Sequence, residues 1–441
     1  MGRKIQVCAL SLLGAFGYTT SAFAQAAEPA PVAAPAEAAP APAPVAEPAP
    51  VAAPPAAPAP VAEPAPVAAP PATDLPAPTA FESFKIENKN GSATLKIGLL
   101  AQPQFEIIGS QGPGLTGASK NLFVRRTRLL VGGTLFKDFE YFFDTDSANL
   151  FKGDIGTPAA PAGTGTKSAP GIVVQDIIGT WKAYEDMIKV DAGYMLTPGA
   201  HNALQGAGTL YSLDYFSNTF THSTQFNSTA GFNPAGRDAG VQLRGLLVDG
   251  HIEYRLGVFQ GNRRPSSATE VAARNGFRYA GRLQINVLDP ETGFFYAGSY
   301  LGKKKVLSFG AAYDFQSDYN HFAADAFLDM PAGPGGVTAQ VNFSRWNGGP
   351  FLNGLAKQTA IMGEAGYRLD AFPISPIVTF EQRKISDNDA KNTRIGGGLA
   401  YWPYGHTINL KAFYTHIANK PPMGDSRGYN QFNLQWQLYF Y

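Results

Sequence analysis

From residue 94 to the end of the chain one pattern keeps returning: apolar and polar side chains in alternation. Leu95, Ile97, Leu99, Ala101, Phe105 and Ile107 are apolar, with Thr94, Lys96, Gln102, Gln104 and Glu106 between them. The same beat returns as Ile252, Tyr254, Leu256 and Val258 against His251, Glu253 and Arg255, then as Leu283, Ile285 and Val287 against Arg282, Gln284 and Asn286. Successive side chains of an extended strand point to opposite faces, so each segment has one greasy face and one wet face. A soluble β-sandwich and a barrel with lipid outside and water inside both satisfy this pattern.

Composition separates them. Charged residues are 16% of the chain, against roughly 25% in soluble proteins, which is too few for a surface that faces water everywhere. Gly 48, Tyr 19 and Phe 30 are high. No run of 18 apolar residues lies beyond the N-terminus, which excludes a helical membrane protein. A net charge of +1 supplies no basic stripe, so nucleic acid is not an expected partner.

Residues 1–24 read as a secretory signal, with Arg3 and Lys4, an apolar stretch from Val7 to Tyr18, and Ala22-Phe23-Ala24 at the cleavage site. Cys8, the only cysteine, leaves with it, so the exported chain has no thiol for a disulfide or a metal. Residues 25–80 hold 18 Pro and 24 Ala, and 42–56 recurs unchanged as 58–72. Such a stretch is a disordered or polyproline II spacer in the periplasm, about 3.1 Å per residue and up to roughly 170 Å long. It serves as a solvated tether or makes a cell-wall contact.

Residues 81–441 are expected to form the barrel. Lys137-Asp138, Glu185-Asp186 and Asp249-Gly250 are tight turns, while the connections between them run to tens of residues, the asymmetry of a barrel with one trimmed and one elaborated rim. Phe139, Tyr141, Phe143, Tyr401 and Trp402 sit near strand ends, as aromatic girdles do. The chain finishes on Phe432, Leu434, Trp436, Leu438 and Phe440 alternating with polar partners, before Tyr441. Sixteen strands are expected, the first at 94–107 and the last at 429–441. The segment 294–300 is demoted to a periplasmic connection, because an odd count would put the Phe372 and Pro403 turns on the long-loop side. The fold class is therefore all-β, a sixteen-stranded antiparallel transmembrane β-barrel.

Several segments resemble the phosphate-selective porin O/P family of outer-membrane porins. They are Phe123-Val124-Arg125-Arg126-Thr127-Arg128 followed by Val131-Gly132-Gly133-Thr134-Leu135-Phe136, and Gly236-Arg237-Asp238-Ala239-Gly240-Val241-Gln242-Leu243. Tyr254-Arg255-Leu256-Gly257-Val258-Phe259, Tyr279-Ala280-Gly281-Arg282-Leu283 and Gly302-Lys303-Lys304-Lys305 complete the series. The order of the motifs carries the resemblance, which spans nearly all of 81–441. It implies a homotrimer in the outer membrane of a Gram-negative bacterium, a third external loop folded inward, and a lumen lined by basic residues. A member of this family need not be specific for phosphate.

Setting aside Arg3, Lys4, Glu28, Glu37, Glu47, Glu63 and Asp74 leaves 33 bases against 29 acids. Alternation puts Arg126, Arg128, Arg244, Arg255 and Arg282 on the wet face, a ladder suited to oxyanions because guanidinium forks match two oxygens at once. Glu140, Asp144, Asp176, Asp191 and Glu253 share that face, and opposite charges there neutralise one another. The long connection 196–238 offers Tyr211, Tyr215, Phe216, His222, Asn227 and Arg237 as constriction residues or as anchors. Lys303 to Lys305 fall on the periplasmic rim.

Catalytic patterns are missing. Gly163 to Ser168 lacks the glycine that a phosphate loop places before lysine. The six histidines show no metal-ligand spacing, and His222-Ser223 is adjacency without an orienting third group. No cofactor or metal is expected. The reading is a non-enzymatic channel for passive diffusion of small hydrophilic solutes, with a mild preference for anions such as phosphate. Its rivals are a barrel sheath around an electron-conducting haem protein, and a structural or tethering barrel with negligible conductance.

Overall fold

A computed structural model of the 441-residue chain describes residues 84–109, 117–154, 166–168, 171–226, 235–263, 276–423 and 426–441. The leader and the Pro/Ala-rich stretch, 1–24 and 25–80, lie outside the described residues, as do Asn227 and residues 163–165.

A short strand β1 (Phe84–Glu87) precedes sixteen barrel strands. The first eight are β2 (Ala93–Gly109), β3 (Ala118–Leu135), β4 (Phe139–Asp146), β5 (Val173–Tyr184), β6 (Ile188–Leu196), β7 (Arg237–Leu247), β8 (Ile252–Phe259) and β9 (Arg278–Asn286). The second eight are β10 (Val306–Gln316), β11 (Tyr319–Ala332), β12 (Gly335–Asn347), β13 (Gln358–Leu369), β14 (Ile374–Ile385), β15 (Lys391–Tyr401), β16 (Ile408–Lys420) and β17 (Arg427–Phe440). Each pairs antiparallel with its sequence neighbours, and β17 closes on β2 through Phe432↔Ile107 and Phe440↔Leu99. Closure leaves no edge, the condition for a sheet in lipid. All sixteen expected strands are present, within a few residues of their expected ends.

The unexpected strand is β1. It pairs with β2 where β17 has run out, Phe84 standing opposite Ile97 just past the Phe440↔Leu99 pair. Phe84 also meets the Phe440 ring edge to face at 5.6 Å. The two chain ends thus make one composite strand, and Tyr441 turns inward onto Phe142 at 5.6 Å.

Alternation becomes lipid against lumen as the sequence requires. Leu283 is 51% exposed and its neighbour Arg282 3%. Leu283→Arg would place a charge on the lipid face and cost about 2–4 kcal/mol near the bilayer midplane. Gln284, although inward, is no neutral control, because it accepts from Arg282 and donates to Glu291. Thr415, on the wall of an open cavity, is the better one. We expect Thr415→Arg to refold with wild-type yield and Leu283→Arg to lose folded protein by heat-modifiability in gels. The reverse order would mean a register slip of one residue.

Short and long connections largely divide between the rims, and two depart most. The β10–β11 turn is tight although it lies on the long-loop side, and the β9–β10 connection 287–305 is long although it lies on the short-turn side. The segment 294–300 is not a strand, as expected, but it does more than connect: it folds into the barrel. Tyr296 is buried there and bridges to Gln205 of the 197–236 loop.

Candidate functional site

The 197–236 loop leaves the wall between β6 and β7, where Thr197 N–H donates to Gly236 O at 3.0 Å. It then crosses to the far wall. Carboxylates projecting from that wall accept its backbone N–H groups: Asp325 from His201 at 3.0 Å, Glu364 from Ser212 at 3.0 Å and Glu381 from Asn218 at 2.8 Å. Lys411 Nζ donates to the carbonyls of Leu210 and Ser212 at 2.6 and 2.8 Å. Gln437 donates to Gly208 O at 2.8 Å. A loop without sheet partners inside a barrel must satisfy its backbone this way. The 287–305 segment supports it from below: Gly206 N–H donates to Tyr296 O and Tyr296 N–H to Leu204 O, both at 2.9 Å, and His201 is bonded to Glu291 at 2.9 Å.

Beside these two infolded segments open space remains on both sides of the loop. An outer cavity of about 580 Å³ is lined by Gln104, Glu106, Arg125, Arg126, Asp214 and Arg394 among others. An inner cavity of about 330 Å³ is lined by Leu100, Leu130, Phe142, Tyr439, Tyr441 and Lys304 among others. Arg128, Tyr215 and Arg237 line both, so they mark the neck between the cavities.

Every arginine expected on the wet face is inward and paired with an acid. Arg128 reaches Asp144 at 3.4 Å and Asp146 at 3.1 Å, and Arg237 holds Asp176 through two bonds at 3.3 and 3.1 Å. Arg244 meets Asp191 at 2.7 Å, Arg255 meets Glu253 at 2.7 Å, and Arg282 meets Asp325 at 2.7 Å. Arg244, Arg255 and Arg282 line neither cavity. They lie under the infolded segments: Arg255 donates to Phe294 O at 2.8 Å and Arg282 to Gly199 O at 3.0 Å. Gly310 makes room for the Arg282–Asp325 pair, since a Cβ there would stand 2.1 Å from the guanidinium. Glu140 accepts from Lys182 at 3.1 Å outside both cavities, Asp144 lines the inner one, and Asp191 is buried. An unbroken positive ladder is therefore absent from the described wall, because each rung carries its own counter-charge.

Of the loop candidates, Tyr211 is buried with its ring parallel to Trp402 at 6.1 Å, an anchor on the far wall. Tyr215 stands at the neck, its hydroxyl donating to Gln205 O at 2.5 Å and its ring facing Arg126 at 5.3 Å. His222 accepts from Trp346 Nε1 at 3.0 Å, an anchor once more.

No family model matches the chain, and no curated protein matches it. Among solved structures it is similar to an anion-selective porin from Comamonas acidovorans, at 11% identity and a TM-score of 0.52 over 79% of this chain and 100% of that one. It is also similar to the outer membrane channel DcaP of Acinetobacter baumannii, at 12% identity and a TM-score of 0.50 over 80% and 99%. The fold is that of outer-membrane porins.

Strict alternation hides one residue of this porin barrel. A bulge between Ala101 and Pro103 sets two residues of β3, Arg125 and Arg126, against Gln102 alone. Both arginines then turn inward, and both bind Asp214 of the crossing loop, Arg125 through Nε at 2.6 Å. Burial raises the Asp214 carboxyl, but the two guanidinium groups overrule it and hold the group well below the usual carboxylate range. One carboxylate thus serves two cations. Pro103 was the available signal, because proline inside a strand marks a bulge or an edge.

The absence of histidine spacing also needs correction, because folding brings His222 and His321 to Asp314, with ligand atoms within 4.8 Å. Sequence distance concealed the group. Asp314 already accepts two bonds from Arg278 and one from Tyr319, and His222 Nδ1 is taken by Trp346. His321 Nε2 has no partner among the described residues, but the carboxylate of the group is already committed to Arg278 and Tyr319, so the three do not stand as a free ligand set.

Proposed function

We propose that the chain is a passive diffusion channel of the outer membrane, admitting small hydrophilic solutes with a mild preference for anions and without catalysis. The observation that carries this reading is the pair of cavities meeting at Arg128, Tyr215 and Arg237. Six cationic side chains, Arg125, Arg126, Arg128, Lys152, Arg237 and Arg394, line the outer cavity against four carboxylates, Glu106, Asp146, Asp214 and Glu381. Asp144 and Asp176 pair with two of those arginines, which makes the count even, so the mild preference rests on the part-exposed cations Arg125, Lys152 and Arg394. Phosphate passes as one anion among others, which is all that the resemblance to the phosphate-selective porins supports. The infolded loop argues against a sheath around a haem protein, because it occupies the width such a partner would need.

Reversal potentials across planar bilayers in a KCl gradient test this. Wild type should favour chloride slightly, and Arg125→Gln with Lys152→Gln and Arg394→Gln should move the potential toward potassium. These three groups are the part-exposed cations of the outer cavity, so raising ionic strength should shrink the difference by screening. An unmoved potential would remove the anion preference, and negligible conductance of folded protein would favour the tethering barrel.

Residues 25–80 fit a periplasmic tether, and three copies in the membrane fit the porin fold. Deleting 26–72 should leave conductance unchanged, because the deleted stretch adds no strand to the described barrel. A large loss would make the arm part of the pore.

A further inference from the structure

The outer wall carries a row of cations that the diffusion channel does not use. Register partners at the long-loop end run Arg345↔Thr359, Thr359↔Lys384, Lys384↔Lys391 and Lys391↔Lys420, across five neighbouring strands, β12 to β16. Arg345 and the three lysines are exposed and share the parity of lipid-facing residues such as Val378, Ile395 and Tyr414. At about 4.8 Å per strand the row is roughly 19 Å long. Like charges set directly opposite one another in a sheet are destabilising. One carboxylate, Asp389, answers them, at 2.9 Å from Lys384 and 3.0 Å from Lys420, which hold its pKa down to about 2. Lys391 and Arg345 have no partner among the described residues.

Height locates the row. Lys384, Lys391 and Lys420 stand ten residues along their strands from Ile374, Tyr401 and Leu410 near the short-turn end. Ten residues at about 3.3 Å, on strands tilted by about 40°, climb roughly 25 Å, the thickness of the apolar band. The row therefore lies at the headgroups of the external leaflet.

Directly below it the same wall is hollowed. A groove of about 630 Å³ is floored by small outward residues, Ala326, Ala339, Gly363 and Ala365, and bordered by Phe380 and Ile395. Phe380 is four residues below Lys384 and Ile395 four below Lys391, on the same face. Cations above an apolar trough at membrane depth match an amphiphile with a phosphorylated head and acyl tails. Free phosphate leaves the trough empty. A second copy of this chain offers no match for the row, because the acids of strands β2–β17 face inward among the described residues.

We propose that the β11–β16 wall binds a phosphorylated glycolipid of the external leaflet, its phosphates on Arg345, Lys384, Lys391 and Lys420 and its acyl chains in the groove below. The test is retention of diphosphoryl lipid A by the full-length folded protein, read by native mass spectrometry from detergent. Lys384→Gln with Lys391→Gln and Lys420→Gln should cut retention on the order of a hundredfold, since each base near an anionic surface contributes a several-fold factor. Dephosphorylated lipid A should bind wild type as weakly as diphosphoryl lipid A binds the triple variant. Gly363→Phe gives an independent arm: its Cβ meets only Gln340 O at 3.8 Å, so the ring fills the trough without straining the wall. It should lose the lipid while keeping all four cations. Equal retention by either variant, or full displacement of the lipid by millimolar inorganic phosphate, would overturn the proposal. The first result would put the lipid elsewhere, and the second would make the row a site for free phosphate.

Discussion

Deleting residues 427–441 should abolish recovery of a folded, heat-modifiable barrel from membranes. The reason is in the ladder. Strand β17 bonds to β16 on one side and to β2 on the other, and among the described residues no other strand joins those two. Without it the sheet has two edges, whose N–H and C=O groups would face hydrocarbon at several kcal/mol each. The outward face of the lost strand, Phe432, Leu434, Trp436, Leu438 and Phe440, also removes part of the apolar band. Strand β1 cannot substitute, because it covers β2 only over 94–97. Recovery of a heat-modifiable barrel from this truncation would mean that β2 and β16 can close directly, and the sixteen-strand requirement would fall.

The barrel was legible because its physics is local. A period of two needs only neighbouring residues, and tight polar turns mark where each strand reverses, so strand number and facing follow from the alternation around Leu283 or Phe432. The site was less legible because its geometry depends on what meets across the lumen. Alternation puts Arg282 inside but cannot say that Asp325, 43 residues on, arrives opposite it. Nor can it say that Arg244, Arg255 and Arg282 end beneath the infolded segments while Arg128 stands at the neck. Arg125 was lost for a different reason: one bulge shifts the parity, and a rule based on parity then assigns the wrong face. The far-wall carboxylates, Asp325, Glu364 and Glu381, carry no mark in the sequence, because their role is to accept backbone N–H groups from a loop whose path no pattern encodes.

That loop gives the largest expected change in function. Thr197 and Gly236 are already bonded at its base, so excising 198–235 and joining the strands with a short Gly/Ser turn should leave β6 and β7 in place. Conductance should rise several-fold, because the neck formed by Tyr215 disappears and the carboxylates of the far wall become lumen surface. The loss of partners for Lys411 and Glu364 costs little, since water enters as the loop leaves. Chloride preference should rise as well: Asp214 departs with the loop and leaves Arg125 and Arg126 without their shared counter-charge. Asp214→Asn separates the two effects. Its carboxyl is ionised through the range of bilayer experiments, being held low by both arginines, so the substitution removes one negative charge while the loop stays across the lumen. It should raise chloride preference with little change in conductance. Unchanged conductance after excision would show that ions pass elsewhere than beside the loop, whereas higher conductance with unchanged ion preference in both variants would show that Asp214 does not face the path.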